Sequence, residues 1–292
     1  MTKVCVVAAG GTGGHMFPAE ALARELTTRG WRVILATDAR GQQYASAFPA
    51  EERIALDAAT GRGPLGLLKA GMTIMRGVGQ AKSALDRLGA DVVVGFGGYP
   101  SAPALLAAIT TRRPTVIHEQ NAVLGRTNRY LAPSVQAIGS AFPTLGRAKA
   151  QVKDRVTLIG NPVRAEIQAL FGRDWQAPAA DGPIHVLVTG GSQGARLLSE
   201  TTPRALAALP SVLIPLKIAT DDHQTLNARA LVDAGAAEML PEDAVTVDSL
   251  AAVLERLLSD PARLAAMSAA ARSVAIPDAT SRLANLVEAT AR

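Results

Sequence analysis

Short apolar runs, many of them β-branched, alternate with longer stretches of helical periodicity along most of the chain. The runs predict strands over 4–8, 33–37, 92–95, 115–118, 135–139 and 156–159, then over 185–189 and 212–216. Between them 19–28, 102–111 and 196–209 read as helices, and a further helical stretch starts near Asp222. Alternation of this kind is the mark of parallel sheets with helices on both faces. Ligands of such folds sit at the carboxyl ends of the strands, so the strand-to-helix turns are where function is expected.

Comparison of those turns shows one internal similarity. The run Val6-Val7-Ala8-Ala9-Gly10-Gly11-Thr12-Gly13-Gly14 has a counterpart in Val186-Leu187-Val188-Thr189-Gly190-Gly191-Ser192-Gln193-Gly194, each an apolar strand entering Gly-Gly-hydroxyl-x-Gly ahead of a helix. Two similar domains are therefore expected, 1–160 and 161–292, with the boundary near 155–165. The second half holds only about four strands, fewer than the five or six of a complete doubly wound domain.

A chain of 292 residues, 48% apolar and 19% charged, is long enough for one large or two medium cores and is not disordered in composition. Its single cysteine, Cys5, excludes an internal disulfide and a cysteine-based zinc site, which suits a reducing cytosol. The longest uncharged stretch, 92–111, is broken by Gly95, Gly97, Gly98, Pro100 and Pro103 and reads as strand, loop and helix, not as a membrane span. Secretory signal features are not evident at the N-terminus, so a cytoplasmic protein is expected. Charge is uneven: residues 1–154 carry 18 Lys/Arg against 10 Asp/Glu, and residues 155–292 carry 12 against 15. The basic half suits an anionic partner, a membrane surface or nucleic acid, and an aromatic content of 3% argues against single-strand stacking platforms.

The first turn ends in Gly10-Gly11-Thr12-Gly13-Gly14-His15. Glycines let backbone approach a ligand closely, and the N–H groups at a helix start attract phosphate or a sugar hydroxyl. Met16 stands where a dinucleotide fingerprint needs glycine, and the Lys-Ser/Thr of a P-loop is missing. Tight strand–helix packing is the competing explanation of the glycines. His15 is suited to proton transfer, or is structural. The second turn repeats the cradle with Ser192, for which a diphosphate is the natural guest. Three more strand ends are polar: Gly95-Phe96-Gly97-Gly98-Tyr99, His118-Glu119-Gln120-Asn121, and Asn161-Pro162-Val163-Arg164, whose arginine could pair with phosphate or lie on the surface. The histidines, His15, His118, His185 and His223, lack ligand spacing, so a metal-independent reaction is expected, and no cofactor is implied. In 65–88, Leu68, Met72, Met75, Val78, Ala81, Leu85 and Leu88 follow helical spacing, with Lys69, Arg76 and Arg87 on one basic face. That helix either packs on the core or rests its basic face on anionic lipid.

Taken together, Gly10 to His15, Gly95 to Tyr99, His118 to Asn121, Asn161 to Arg164, Gly190 to Ala195, Asp222-His223-Gln224 with Asn227-Ala228, and Ile276-Pro277-Asp278-Ala279-Thr280 resemble, in order and context, the MurG glycosyltransferases. The resemblance covers nearly the whole chain. It implies an α/β fold of the GT-B type, two Rossmann-like domains facing across a cleft with the second one reduced. It implies inverting transfer of N-acetylglucosamine from UDP-N-acetylglucosamine to the C4 hydroxyl of undecaprenyl-diphosphate-linked muramoyl-pentapeptide, at the cytoplasmic face of the plasma membrane and without nucleic acid. Carried over by motif, Thr12, Gly13, Gly14 and Asn121 meet the donor sugar and acceptor, and Arg164, Ser192 and Gln224 hold the nucleotide. His15 is the implied general base, with Glu119 as second candidate. Relatives also carry on the order of 60 residues, about two strand–helix units, that this chain lacks between Leu213 and Ile214. Two other readings stand beside this one. A dinucleotide-dependent oxidoreductase would use Asp38 on a ribose, and a non-catalytic sugar-nucleotide or lipid-carrier binder would remain if the shortened domain cannot turn over.

Overall fold

The computed structural model describes residues 2–10, 13–39, 41–42, 48–61, 63–171, 212–215 and 222–291. Seven parallel strands, β1 (Val4–Ala8), β2 (Arg32–Thr37), β3 (Glu52–Ala55), β4 (Val92–Gly95), β5 (Thr115–Glu119), β6 (Ala137–Ser140) and β7 (Val156–Leu158), form one sheet in the order β3-β2-β1-β4-β5-β6-β7. The chain winds outward from β1 in one direction and from β4 in the other. The turns after β1 and β4 therefore open at the point where the winding reverses, the crevice that doubly wound sheets offer to ligands.

The central strands are apolar throughout because both of their faces are covered. Val4, Val6 and Ala8 face a core completed by Ala81, Leu85 and Leu88 of α2 (Gly63–Leu88), Ala104, Leu105 and Ala108 of α3 (Ala102–Thr110), and Leu131 of α4 (Arg126–Leu131). Cys5 and Val7 face the opposite core, with Met16, Leu22 and Leu26 of α1 (Gly13–Thr28). Burial, then the charge of Asp91, push the Cys5 thiol strongly up, which keeps it protonated and inert. β3 is absent from the sequence expectation: its Glu-Arg-Ile-Ala has the mixed polarity of an edge strand and little β-branched signal.

A short helix, α5 (Ala165–Gln168), follows β7. Further along the chain, β8 (Val212–Leu213) pairs in parallel with β9 (Glu238–Met239), accompanied by α6 (His223–Asp233), α7 (Val247–Leu258) and α8 (Pro261–Val274). A reciprocal capping box between Thr246 and Ser249 starts α7. The last helix, α9 (Ala279–Thr290), packs on α1 and completes the second core with fully buried Leu283, Ala284 and Val287.

Contacts accordingly divide the chain into one unit of Met1–Phe171 with Ile276–Arg292, and another of Gly172–Ala275. This departs from the division at 160 read from the sequence. α5 and the C-terminal helix belong with the first sheet, because the apolar stripe of α9 covers it. The second unit is thus an insertion between two parts of the first. The strand expected over 212–216 is described only at Val212–Leu213, and the strand expected over 185–189 lies outside the described residues.

Candidate active site

The carboxyl edge of the seven-stranded sheet gathers most of the residues singled out above. α1 begins at Gly13, earlier than the expected residue 19, so His15 lies in its first turn. Pro18 falls inside the helix and leaves the Gly14 carbonyl without the usual N–H donor four residues on. The His15 ring lies against the turn after β4. A Cβ on Gly97 would come 3.5 Å from His15 Cδ2, and one on Gly98 3.6 Å from Cε1; both glycines have positive φ. Gly10 is a packing glycine, since a Cβ there would lie 2.8 Å from Pro100 Cβ and 2.9 Å from the Asp38 carboxylate. Part of the glycine cluster thus serves strand–turn packing, as the competing explanation required.

Asp38 is buried at the end of β2, accepting from the Tyr99 hydroxyl at 3.0 Å and from the Gly41 N–H at 2.9 Å. A ribose-binding acid needs its carboxylate open to a diol, and this one fastens the β2 and β4 turns together. The geometry therefore counts against the dinucleotide reading.

Glu119 is 2% exposed at the end of β5, and both its oxygens are engaged. Oε1 accepts from the Asn121 N–H at 3.1 Å and from Asn121 Nδ2 at 2.9 Å. Oε2 accepts from the Gly125 N–H and from Asn128 Nδ2, each at 2.9 Å. Four donors use the acceptor capacity of a carboxylate. Glu119 consequently organises the loop from 120 to 125 and is poorly placed to take a proton from a substrate. Asn128, buried on α4, was not singled out in the sequence. Its Nδ2 also donates to the His118 carbonyl at 3.1 Å, whereas its Oδ1 is buried with no hydrogen-bond partner and lies 3.5 Å from the position of a Cβ on Gly97. A lone asparagine on a short helix carries no motif that could have announced this.

Arg164 precedes α5 and reaches back to α1. Its guanidinium stands 4.3 Å from the centre of the Phe17 ring, and the two line a groove of about 380 Å³ with Met16, Glu20, Arg24, Phe48 and Glu166. A cation fixed over an aromatic face near a helix N-terminus suits a ligand group with negative charge.

Residues 5–140 match the glycosyltransferase family 28 N-terminal domain, and residues 204–283 match its C-terminal domain. A UDP-N-acetylglucosamine--N-acetylmuramyl-(pentapeptide) pyrophosphoryl-undecaprenol N-acetylglucosamine transferase of Phenylobacterium zucineum is 48% identical, with all of both chains aligned, and the protein of that name from Caulobacter vibrioides is also 48% identical over all of both. Among solved structures, Acinetobacter baumannii MurG matches at a TM-score of 0.78 and 26% identity, covering 98% of this chain and 99% of that one. The chain belongs to the MurG family of glycosyltransferases. Its α/β fold is of the GT-B class, as the motifs implied, and a kitacinnamycin glycosyltransferase shares that fold at a TM-score of 0.65 and 18% identity. The alignment with the Phenylobacterium protein runs over 363 positions against the 292 residues here, so at least 71 of them have no residue in this chain.

Of the positions carried over from MurG motifs, Gly13, Gly14, His15, Glu119, Asn121 and Arg164 each lie at or just beyond the carboxyl end of a strand of the first sheet, with Asn121 bonded to Glu119 and Arg164 over Phe17. Gln224 is half-buried in the first turn of α6, in the other unit. Thr12, Ser192 and the whole second glycine turn lie outside the described residues. Among the described residues, no three His, Cys, Asp or Glu side chains are grouped as a metal site would need.

Proposed function

We propose that this protein transfers N-acetylglucosamine from UDP-N-acetylglucosamine to the C4 hydroxyl of undecaprenyl-diphosphate-linked N-acetylmuramoyl-pentapeptide, at the cytoplasmic face of the bacterial plasma membrane. The observation that carries this reading is 48% identity, along the whole chain, to transferases named for that reaction. In a single inverting displacement the acceptor hydroxyl attacks the anomeric carbon as UDP departs from the opposite face. His15 takes the hydroxyl proton, a role supported by its seat against the Gly97–Gly98 turn and by the full engagement of Glu119. Arg164, with Ser192 and Gln224 on the nucleotide, stabilises the negative charge that develops on the diphosphate. Thr12, Gly13, Gly14 and Asn121 complete the sugar and acceptor contacts.

The acceptor is lipid-linked, so the protein has to work at a membrane surface. No helix among the described residues is long and apolar enough to cross one. The first half of α2 instead exposes Leu65, Leu67, Leu68, Met72 and Met75, all more than half accessible. Their contiguity on one helix, with exposed Lys69 beside them, supports a docking face that enters the lipid surface without spanning it.

The decisive experiment measures transfer of radiolabelled N-acetylglucosamine from its UDP conjugate to a lipid-linked acceptor. His15→Ala is expected to lower kcat by about 10²–10⁴-fold, the range of a lost general base. Arg164→Ala is expected to raise the donor KM and to lower kcat. Acceptor binding without turnover by the unaltered protein would leave the non-catalytic alternative standing.

A further inference from the structure

The segment that carries Arg164 leaves β7 through Gly160, and that residue is held on three sides. It stands at φ +89°, and a Cβ there would lie 2.7 Å from Ile276 Cβ in the segment leading to α9. Its N–H donates to the Ser140 carbonyl at 3.1 Å. Its carbonyl lies 3.0 Å from Nε2 of His118, a side chain with no solvent exposure. The Gln120 amide nitrogen lies 3.1 Å from His118 Nδ1; with that amide as donor, Nδ1 is the acceptor and Nε2 carries the proton toward Gly160. Phe96 at 5.6 Å between ring centres, and Gly139, where a Cβ would come 3.3 Å from Cδ2, fix the plane of the imidazole.

A buried polar side chain spent on one backbone carbonyl, four residues before an arginine aimed at a groove, sets where that arginine stands. We propose that His118 is a positioning residue for donor binding: its imidazole pins the Gly160 carbonyl, and through residues 161–164 it fixes the guanidinium of Arg164 above Phe17. The proposal rests on the assignment of Arg164 to the nucleotide. His118 touches no substrate and acts only through the backbone that it holds.

The test compares His118→Gln, His118→Asn and His118→Leu, each alone and combined with Arg164→Ala, by KM for UDP-N-acetylglucosamine, KM for the acceptor, kcat and melting temperature. Glutamine can present an N–H at the place of Nε2 and is expected to keep the donor KM within about threefold of the original, whereas asparagine falls short and leucine has no donor. Asparagine and leucine are expected to raise the donor KM about tenfold, to lower kcat by no more than Arg164→Ala does, to leave the acceptor KM unchanged, and to add nothing once Arg164 is alanine. An equal rise in the Arg164→Ala background overturns the coupling, and so does a glutamine variant as impaired as the leucine one. An Arg164→Ala protein with unaltered donor KM overturns the assignment of Arg164 itself, and the proposal with it. If the asparagine and leucine variants lose cooperative melting, half-buried Gln120→Leu decides. It releases Nδ1 from its donor and lets the ring take the tautomer with a bare Nε2, for which a donor KM about threefold higher supports the proposal and an unchanged one overturns it.

Discussion

At the scale of single residues, the titration of His118 gives a sharp expectation. Desolvation lowers its pKa from 6.5 to about 4, against a smaller opposing contribution from the Gly160 carbonyl. The unfolded chain then binds a proton that the folded one refuses between those values. The His118 contribution to stability is therefore complete above about pH 6.5 and is lost as pH falls toward 4, by on the order of 3 kcal/mol. Melting temperatures measured between pH 7 and pH 4 are expected to fall more steeply for the original protein than for His118→Gln, and parallel curves would refute this. The sequence showed His118 and Glu119 only as polar residues at a strand end. That Glu119 is consumed by its own loop depends on donors two, six and nine positions along the chain, a closure visible only in three dimensions. His15 was legible from its place after the glycines, and its seat on Gly97 and Gly98 was not.

At the scale of elements, apolar runs announced most strands of the first sheet, because parallel strands covered on both faces carry no polar alternation to blur them. Helix α2 was less transparent. It runs unbroken for 26 residues through Gly66, Gly71, Gly77 and Gly79, and Gly77 lies so close to Asp57 that a Cβ would meet the carbonyl oxygen at 2.1 Å. Its stripe also divides: Ala81, Leu85 and Leu88 enter the core, and Leu68, Met72 and Met75 do not. The basic face thins as well, because Arg87 pairs with Glu52 and Arg76 with Asp57. α9 is the element whose role is least evident from its position in the sequence. Arg29 bonds to Ser281, Asn285 and Glu288, and the Trp31 indole donates to Glu288, over an apolar contact centred on Leu283. Leu283→Ala is expected to destabilise the first unit by about 2–5 kcal/mol, the range of a buried leucine truncation. Denaturant unfolding followed through Trp31 fluorescence reports it, and a loss below about 1 kcal/mol would contradict the packing described.

At the scale of the whole molecule, the exposed half of α2 makes membrane association testable apart from catalysis. The double variant Leu68→Glu and Met72→Glu is expected to abolish sedimentation with vesicles while leaving transfer to a short-chain, soluble acceptor within about twofold of the original, because neither side chain contributes to the core. With two bases of the face already paired, raising salt should weaken vesicle binding less than the glutamates do. Loss of soluble-acceptor activity to the same extent would show that the face serves the fold or the site instead. The two-domain plan was legible because glycine turns and strand runs recur, but the boundary was not, since nothing in the local sequence says that the last helix returns to the first sheet. That return governs how the protein is made. During synthesis the opening 171 residues can form their strands and all but one of the covering helices while Leu283 and Val287 are still inside the ribosome. The nascent lobe must therefore wait, with an uncovered greasy strip, until α9 emerges, and truncation just ahead of Ala279 should yield insoluble product rather than a merely weakened enzyme.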